Sequence, residues 1–299
     1  MELSVLVCTR DRAASLKRLL ESLALCEAPP GFNWEIVVVD NGSRDNTRAV
    51  VESIAPTISV GVRLLDEPRA GRSYAFNLGI DAVCGRLVAL TDDDIVVTPD
   101  WIVSIARHAK HEPARVCWGG MVKLFDVADV PVTIRTSEHA RLFDRTDFSP
   151  SNIPVLGCNL VMRTDVLRQI GRMDALFGPG SNVGSGDDLE LLYRFLRRGH
   201  LVAYDPSIVV LHAHGRRDSN TVAKLNEQYL MGRGAFYCKY LLCGDLTMVK
   251  WMYWELIRTL REYRQAGFIS RQARAALRPC TAMLRGALRY LGARVLGFQ

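Results

Sequence analysis

The sequence predicts an α/β protein with a mostly parallel sheet flanked by helices and followed by a C-terminal helical extension. In the first part of the chain, short uncharged runs rich in Val and Leu alternate with stretches of helical periodicity. This alternation is typical of βαβ units, in which right-handed crossovers join parallel strands. The 299 residues, 48% of them hydrophobic and 23% charged, provide enough material for such a core.

The predicted elements follow one another at regular spacing. Strands are predicted at 2–8, 35–39, 62–65, 87–91, 116–124, 154–162, 201–204 and 208–211. Helices are predicted at 13–25, 73–83, 101–111, 165–170 and 187–197, with another ending near 54, and 125–153 is irregular and polar. From about residue 219 the pattern favours only helices. We therefore expect one α/β domain at 1–215 and a helical extension at 216–299.

An acidic triplet, Asp92, Asp93 and Asp94, directly follows the uncharged strand at 87–91. Three adjacent carboxylates repel one another, so a buried strand end holds them only opposite a cation or strong hydrogen-bond donors. Ligands of open α/β sheets bind outside the carboxyl ends of the strands. Carboxylate oxygens there suit Mg²⁺ or Mn²⁺ beside a diphosphate. The alternative for the triplet alone is a solvated acidic turn.

A further carboxylate, Asp40, ends the strand at 35–39. In a parallel sheet it should lie on the same edge as the triplet. We expect Asp40 to accept a hydrogen bond from a nucleobase or a ribose, while Asp92 and Asp94 face a metal diphosphate. The alternative is an Asx-turn or an N-cap, because Asn41 and Gly42 follow.

Four motifs, in this order, resemble those of family 2 glycosyltransferases: VLVCTRDR at 5–12, VVVDNGS at 37–43, GRSYAFNLGI at 71–80 and TDDD at 91–94. The resemblance covers about residues 1–215. It implies the GT-A fold and the inverting transfer of a sugar from a nucleotide diphosphate. It also implies that about 1–100 form the nucleotide-sugar half of the domain and about 101–215 the acceptor half.

The resemblance implies a role for individual residues of these motifs. The implied donor-binding residues are Thr9, Arg10, Asp40, Arg72, Asn77, Asp92 and Asp93, and the implied metal ligands are Asp92, Asp94 and His212. The metal, Mn²⁺ or Mg²⁺, would neutralise charge on the leaving group. His214 is an alternative ligand to His212, and a structural histidine is the alternative to both. For Arg72 the alternative is a surface salt bridge.

An acidic pair, Asp187 and Asp188, stands between the glycine-rich segment 177–186 and a predicted helix. Inverting transfer needs a base that takes the proton from the attacking hydroxyl. The pair matches the acidic pair of the family, with Asp in place of the usual Glu at its first position. The match implies Asp188 as the base and Asp187 as a residue that orients the acceptor. Charge at a helix N-terminus is the alternative.

The basic character of the chain lies in its last 49 residues. Residues 251–299 contain nine Arg, no Lys and two Glu, a net charge of +7, which leaves −1 for the rest of a chain whose net charge is +6. The apolar positions at helical spacing are Leu277, Leu284, Leu288, Leu291 and Val295, and the arginines beside them are Arg271, Arg274, Arg278, Arg285 and Arg289. A basic amphipathic surface suits an anionic membrane and a lipid-linked acceptor. A helical cap on the domain or an oligomer contact is the alternative, and nucleic acid is disfavoured because no binding motif accompanies the arginines.

The eight cysteines are scattered through apolar runs, which favours reduced thiols. No signal peptide is evident at residue 1, and no run reaches the roughly 18 uncharged apolar residues of a spanning helix. We therefore expect a cytoplasmic protein, with peripheral attachment to the inner membrane face as an option. The expected activity is metal-dependent transfer of a sugar to a saccharide or lipid-linked hydroxyl in cell-surface glycan assembly. The alternatives are a sugar nucleotidyltransferase, which would carry a glycine-rich loop where this chain has residues 8–11, and a non-catalytic nucleotide-binding scaffold.

Overall fold

The computed structural model describes residues 1–111, 115–265 and 277–297, which form one mixed sheet and the helices around it. The strands are β1 (Leu3–Thr9), β2 (Trp34–Asp40), β3 (Gly61–Asp66), β4 (Leu87–Asp92), β5 (Ile95–Val97), β6 (Val116–Leu124), β7 (Arg141–Phe143), β8 (Asn159–Arg163) and β9 (Leu201–His212). The helices are α1 (Ala13–Ala24), α2 (Thr47–Ile54), α3 (Arg72–Ala82), α4 (Trp101–His111), α5 (Thr164–Ile170), α6 (Asp187–Arg197), α7 (Ser219–Leu242), α8 (Thr247–Gln265) and α9 (Arg278–Val295). Within these described parts of the chain, none of the helices combines the length and the apolar character that crossing a bilayer requires.

The strand order is β3-β2-β1-β4-β8-β6-β9-β5, with β7 paired to β9. The pairings β3-β2-β1-β4 and β6-β9 are parallel, and those of β8, β5 and β7 are antiparallel. In the register of β1, Thr9 faces Asp40 of β2 and Cys8 faces Asp92 of β4. The predicted α/β class is confirmed, and two strands that end in carboxylates meet on one edge of the sheet.

Each face of the sheet carries its own apolar layer, because successive side chains of a strand point to opposite faces. On one face, Leu3, Val5 and Val7 of β1 belong to the same buried cluster as the leucines of α1 and Trp101 and Ile102 of α4. On the other face, Leu6 of β1 belongs to a cluster with residues of α3, α5 and α6. This second cluster also contains Phe236 of α7 and Tyr290 of α9. The C-terminal helices therefore share the core of the α/β domain.

Three of the predicted elements differ from the structure. Residues 154–158 are not a strand, since β8 begins at Asn159. The two strands expected at 201–204 and 208–211 are one long strand, β9, whose pairing with β6 shifts register between Gly120 and Met121. The three-residue strands β5 and β7 are too short to produce a detectable periodicity, and they form because β9 offers them an edge.

The helices α7 and α9 pack with their backbones almost in contact. A Cβ atom added to Gly234 of α7 would lie 1.9 Å from the carbonyl oxygen of Met283, and one added to Gly286 of α9 would lie 1.9 Å from that of Met231. Neither position has room for a side chain, so the two glycines set the distance between the helices.

We expect Gly286→Ala to lower the free energy of unfolding by about 1–3 kcal/mol, because the added methyl group must push α9 away from α7. Urea denaturation measures this difference. Gly292→Ala on the same helix is the control: nothing lies within 4 Å of its added Cβ, and the higher helix propensity of Ala should stabilise it by up to about 1 kcal/mol. Equal effects of the two substitutions would contradict the contact.

Candidate active site

A cleft of about 740 Å³ opens at the carboxyl edge of the sheet. It is lined by the end of β1, the acidic triplet, the start of α3, residues 179–188, the end of β9, and side chains of α7 and α9. The cleft is lined by most of the residues expected to bind the donor or the metal or to act in catalysis: Thr9, Arg10, Arg72, Asp92, Asp93, Asp94, Asp187, Asp188 and His212. Side chains that are about 200 residues apart in the sequence thus share one site.

Every carboxylate of the triplet faces a guanidinium group. Arg72 donates to Asp92. One nitrogen of Arg12, Nη1, donates to Asp93 Oδ1 at 2.9 Å and to Asp94 Oδ2 at 2.8 Å. Asp93 and Asp94 are almost fully buried, so these cations provide the counter-charge that buried carboxylates require. Sequence reasoning did not assign a role to Arg12, although it is the last residue of the motif at 5–12.

The surroundings shift the pKa values of Asp93, Asp94 and His212 in different ways. Burial raises the pKa of Asp93 to about 6, although Arg12 opposes the shift. Burial would also raise the pKa of Asp94, but the hydrogen bonds and charges of His212 and Arg12 hold it below its usual range. Burial lowers the pKa of His212, yet its contact with Asp94 produces a net increase. The Nε2 of His212 lies 3.3 Å from Asp94 Oδ1, and the two groups form an ion pair when the imidazole is protonated.

The acidic pair lies across the cleft at the start of α6. Arg72 Nη1 donates to Asp187 Oδ2 at 2.5 Å, so the same guanidinium contacts both β4 and α6. The pKa of Asp188 is raised to about 6 by burial and by the charge of Asp187, with Arg72 acting in the opposite direction. A Cβ on Gly157 would lie 2.9 Å from Asp188 Cβ, so the chain before β8 passes close to this carboxylate because it has no side chain there. Asp188 can therefore accept a proton near neutral pH.

The start of α3 is positioned by neighbouring loops. Asn41, which follows β2, accepts a hydrogen bond from Gly71 N at 2.9 Å through Oδ1 and donates to Arg69 O at 2.7 Å. The backbone N–H of Arg72 donates to Pro179 O at 3.0 Å. Asn41 itself lines the cleft. These contacts fix the point from which the Arg72 side chain extends.

Two residues expected to bind the donor lie outside the cleft lining. Asp40 Oδ1 accepts a hydrogen bond from the backbone N–H of Ser43, three residues on, at 2.9 Å, a local side-chain-to-backbone contact that closes the turn at Asn41 and Gly42. The side-chain amide of Asn77 donates to Met173 O at 3.0 Å and accepts from Met173 N at 2.7 Å. Both side chains therefore hold the backbone around the site.

The cleft offers two groups to a divalent metal ion. Among the described residues, no cluster of three His, Cys, Asp or Glu side chains is arranged to hold a metal by itself. Asp94 and His212 face the cleft side by side, whereas Arg72 holds Asp92. A metal bound together with a diphosphate needs only one or two protein ligands, and a carboxylate with an imidazole suits Mn²⁺. His214 is packed against Asp129 at 3.5 Å and lies outside the cleft lining, so the residues fit His212 as the ligand.

One wall of the cleft comes from the C-terminal helices, which sequence reasoning did not connect with the site. Gln228 and Tyr229 of α7 and Arg289 of α9 line it. Ser185 Oγ donates to Gln228 O at 2.6 Å and so links α7 to the segment that precedes the acidic pair. A helical pattern shows which face of a helix is apolar but not which turn reaches a distant site, so no sequence signal was available.

Solved glycosyltransferase structures share this architecture. A mannosyltransferase, PcManGT from Pyrobaculum calidifontis in complex with GDP-Man and Mn2+, has a TM-score of 0.64 over 97% of this chain and 87% of that chain, at 16% identity. S. aureus TarS 1-349 in complex with UDP-GlcNAc has a TM-score of 0.62 over 99% of this chain and 92% of that chain, at 17% identity. At such identities the likeness concerns the fold alone. The fold is that of GT-A glycosyltransferases.

The sequence comparison identifies the family within this class. A family model described as Glycosyl transferase family 2 matches residues 4–171, more than half of the 299 residues. The chain belongs to glycosyltransferase family 2. Succinoglycan biosynthesis protein ExoM of Rhizobium meliloti is 25% identical over 215 residues, which are 69% of this chain and 65% of that protein. Pre-mycofactocin glycosyltransferase of Mycobacterium tuberculosis is 24% identical over 233 residues, 75% of this chain and 45% of that protein, so the chain spans between 45% and 65% of the length of these two relatives.

Proposed function

We propose that this protein transfers a sugar from a nucleoside diphosphate donor to a hydroxyl acceptor with inversion at the anomeric carbon, and that a divalent metal ion takes part. The observation that carries the proposal is that one cleft brings together the acidic triplet, Arg72 and an acid whose pKa lies near 6, Asp188. Such a group near neutral pH is suited to take a proton from a hydroxyl. The family membership of residues 4–171 supports the same class of reaction.

In the proposed reaction, the residues of the chain bind the donor and move one proton. Asp188 takes the proton of the acceptor hydroxyl, while the oxygen of that hydroxyl forms a bond to the anomeric carbon. The bond between that carbon and the diphosphate oxygen breaks, and the diphosphate leaves with the electron pair. Arg72 lines the cleft and can donate to the departing phosphate oxygens. A metal ion held by Asp94 and His212 would neutralise charge on the diphosphate.

The donor half in this proposal is formed by about residues 1–100. Thr9, Arg10 and Asp92 line the cleft and bind the nucleotide directly, as does Asp93, whose Oδ2 accepts from Thr9 Oγ1 at 2.7 Å. Asp40 and Asn77 contribute through the backbone that they hold. Residues 101–215 form the acceptor half, to which α7 and α9 add a wall. Asp187 accepts a hydrogen bond from Arg72 and helps to orient the acceptor.

The acceptor class is proposed from the relatives. One similar protein is named Dodecaprenyl-phosphate galacturonate synthase, with 30% identity over 35% of this chain. Another is named Glucosyl-dolichyl phosphate glucuronosyltransferase, with 32% identity over 41% of this chain. We propose a saccharide or lipid-linked saccharide acceptor in cell-surface glycan assembly. A sugar nucleotidyltransferase and a non-catalytic scaffold are disfavoured by the family match.

We expect one of UDP, GDP, dTDP and CDP to bind in calorimetric titrations with Mn²⁺ and to bind at least about tenfold more weakly without it. Asp94→Ala should remove the metal dependence, because it deletes a metal ligand. Asp66→Asn is the control, since Asp66 at the end of β3 pairs with Arg48 outside the cleft lining. If no nucleotide binds to the wild-type protein, the donor site is wrong.

We expect Asp188→Asn to lower transfer by about 100-fold or more, while the affinity for the nucleotide stays within about twofold of the wild type. The kcat/KM of the wild type should rise with pH around the pKa of about 6.

The same carboxyl group should make stability depend on pH. The folded-state pKa of Asp188 lies above the ordinary value of 3.8, so ionisation of Asp188 disfavours folding. The contribution of Asp188 to the free energy of unfolding therefore falls between about pH 4 and 6. At pH 7 the free energy of unfolding of the Asp188→Asn variant should therefore exceed that of the wild type by up to about 3 kcal/mol. At pH 4 the two free energies of unfolding should be equal.

Urea denaturation at the two pH values and a nucleotide-release assay measure these quantities. Glu52→Gln is the control for stability, because its side chain is 64% exposed. A fully active Asp188→Asn variant would rule out Asp188 as the base.

The C-terminal helices also present an apolar surface. On α8, the side chains of Met252, Tyr253, Trp254, Leu256 and Leu260 are 41–55% exposed. The arginines Arg261 and Arg264 of the same helix are exposed as well. Tyr and Trp beside arginines suit the interface of an anionic bilayer, so we propose that α8 attaches the protein to such a membrane, in line with the expected location at an inner membrane face.

Only part of the predicted arginine stripe supports this attachment. Arg285 pairs with Glu227 of α7 at 2.5 Å, and Arg289 lines the cleft. Arg271 and Arg274 lie outside the described residues. The positive charge assigned to the membrane is therefore mainly that of Arg261 and Arg264 of α8, which lie outside the predicted stripe, with Arg278 as the exposed stripe residue that remains.

We expect the double variant Tyr253→Ser/Trp254→Ser to lower partitioning onto vesicles that contain phosphatidylglycerol by about tenfold or more, because two aromatic side chains lose their apolar environment. Cosedimentation measures the bound fraction, and about 0.5 M salt should weaken binding of the wild type. Val127→Ser, at a position that is 92% exposed in the segment 125–153, is the control. If the double variant instead converts a dimer to a monomer, α8 is an oligomer contact.

A further inference from the structure

We infer that Arg216 and Tyr229 form a subsite for a phosphate group carried by the acceptor, next to Asp188. The inference rests on the proposed function and specifies its substrate: a saccharide whose reactive hydroxyl belongs to a glycosyl phosphate. Both residues line the cleft, and both lie in the part of the chain that follows β9.

The backbone around Arg216 is held in place by one buried carboxylate. Asp129 Oδ2 accepts from the backbone N–H of Gly215 at 2.9 Å, and its Oδ1 accepts from Arg217 Nε at 3.3 Å. The carbonyl oxygen of Arg216 accepts from Val130 N at 2.8 Å. Contacts on both sides of Arg216 thus fix its Cα before any ligand arrives, which lowers the entropy cost of binding.

The guanidinium group of Arg216, in contrast, forms no ion pair with a carboxylate of residues 1–111, 115–265 or 277–297. Its Nη1 atom is buried and has no hydrogen-bond partner among the described residues. The two guanidinium groups on the donor side, those of Arg12 and Arg72, each contact two carboxylates. A buried N–H without a partner destabilises the protein, and an acceptor oxygen from a ligand would offset that cost. A planar guanidinium group matches a phosphate because it can donate two parallel hydrogen bonds.

Tyr229 places this subsite beside the proposed base. The turn of α7 that carries it is fixed by the hydrogen bond of Ser185 to Gln228 O at 2.6 Å, and a Cβ on Gly232 would lie 2.3 Å from Ser185 Oγ. Ser185 is three residues before Asp188. Partial burial and the charge of Asp188 raise the pKa of the Tyr229 hydroxyl, and the charge of Arg216 opposes the shift. Tyr229 as a residue remains 41% exposed, so its phenol can donate to the phosphate and its ring can contact the acceptor sugar.

The position of Tyr229 favours a phosphate on the acceptor over the diphosphate of the donor. The acceptor hydroxyl has to reach Asp188, and Tyr229 directly follows Gln228, whose carbonyl oxygen is bound by Ser185, three residues before Asp188. The donor diphosphate has its own positive charge from Arg72, and a metal ion held by Asp94 and His212 would add to it. A phosphate on the acceptor could belong to a free glycosyl phosphate or to a lipid-linked one, and the subsite recognises the chemistry that both share.

The test uses the full chain saturated with its nucleoside diphosphate and Mg²⁺. Calorimetry measures the binding of inorganic phosphate, of the 1-phosphates of glucose, galactose, mannose and N-acetylglucosamine, of the four matching methyl glycosides, and of the same sugars linked to farnesyl diphosphate. The variants are Arg216→Gln and Tyr229→Phe. Arg285→Gln is the control, because Arg285 pairs with Glu227 and lies outside the cleft lining.

We expect at least one phosphorylated sugar to bind about tenfold or more tightly than its methyl glycoside, a preference that Arg216→Gln abolishes and Tyr229→Phe weakens. Arg285→Gln should keep the preference, and all three variants should keep the affinity for the nucleotide. Tighter binding of the farnesyl compound would identify a lipid-linked source, and equal binding a free glycosyl phosphate.

Two results would overturn the inference. In the first, no phosphate compound binds to the nucleotide-loaded wild type. In the second, Arg216→Gln weakens nucleotide binding instead, which would assign Arg216 to the donor diphosphate. A failure of the proposed function looks different, because the wild type would then bind no nucleotide at all.

Discussion

The active-site architecture depends on the neutralisation of buried negative charge at the carboxyl edge of the sheet. Asp92, Asp93 and Asp94 arrive together at the end of β4, and Asp187 and Asp188 approach from the start of α6. A buried carboxylate that loses its partner costs about 3–5 kcal/mol. Asp93, Asp94 and Asp187 are buried and Asp92 and Asp188 are half-buried, so the site needs cations placed among them.

Arg72 has a special position in this network because it contacts both sides. Its two terminal nitrogens donate to Asp92 of β4 and to Asp187 of α6, so one side chain joins the sheet to the helix of the acidic pair. The counter-charge of Arg72 is shared mainly between these two, while burial and the charge of Asp187 raise the pKa of Asp188. The same ion pairs that stabilise the fold thus leave one carboxyl group ready to accept a proton.

The C-terminal helices are part of this construction. Residues of α7 and α9 enter the apolar cluster on one face of the sheet, and glycines bring the two helices together. The same packing places Tyr229 and Gln228 in the wall of the cleft. A chain division at residue 215 describes where the strands end, but the cleft itself is completed by side chains from beyond that point.

Much of this protein was determined by local sequence. The apolar runs that become β1, β2 and β4, with carboxylates at their ends, predicted the sheet edge on which Asp40 and Asp92 meet, because parallel strands of similar length must end together. The motifs and the acidic pair identified Arg72, Asp92 and Asp188 as residues of one site. The sheet follows from periodicity, whereas the placing of these three residues in one site follows from the resemblance of the motifs to those of family 2 glycosyltransferases.

Tertiary structure alone decided which side chains reach the cleft. Asp40 and Asn77 turn to the backbone of Ser43 and Met173, since satisfying buried backbone groups there takes up their hydrogen bonds. Arg12, to which the motif at 5–12 assigned no role, bridges two carboxylates because β1 and β4 are neighbours. Tyr229 enters the site from a helix more than 130 residues after the triplet. Long-range packing sets such contacts, and local periodicity carries no information about it.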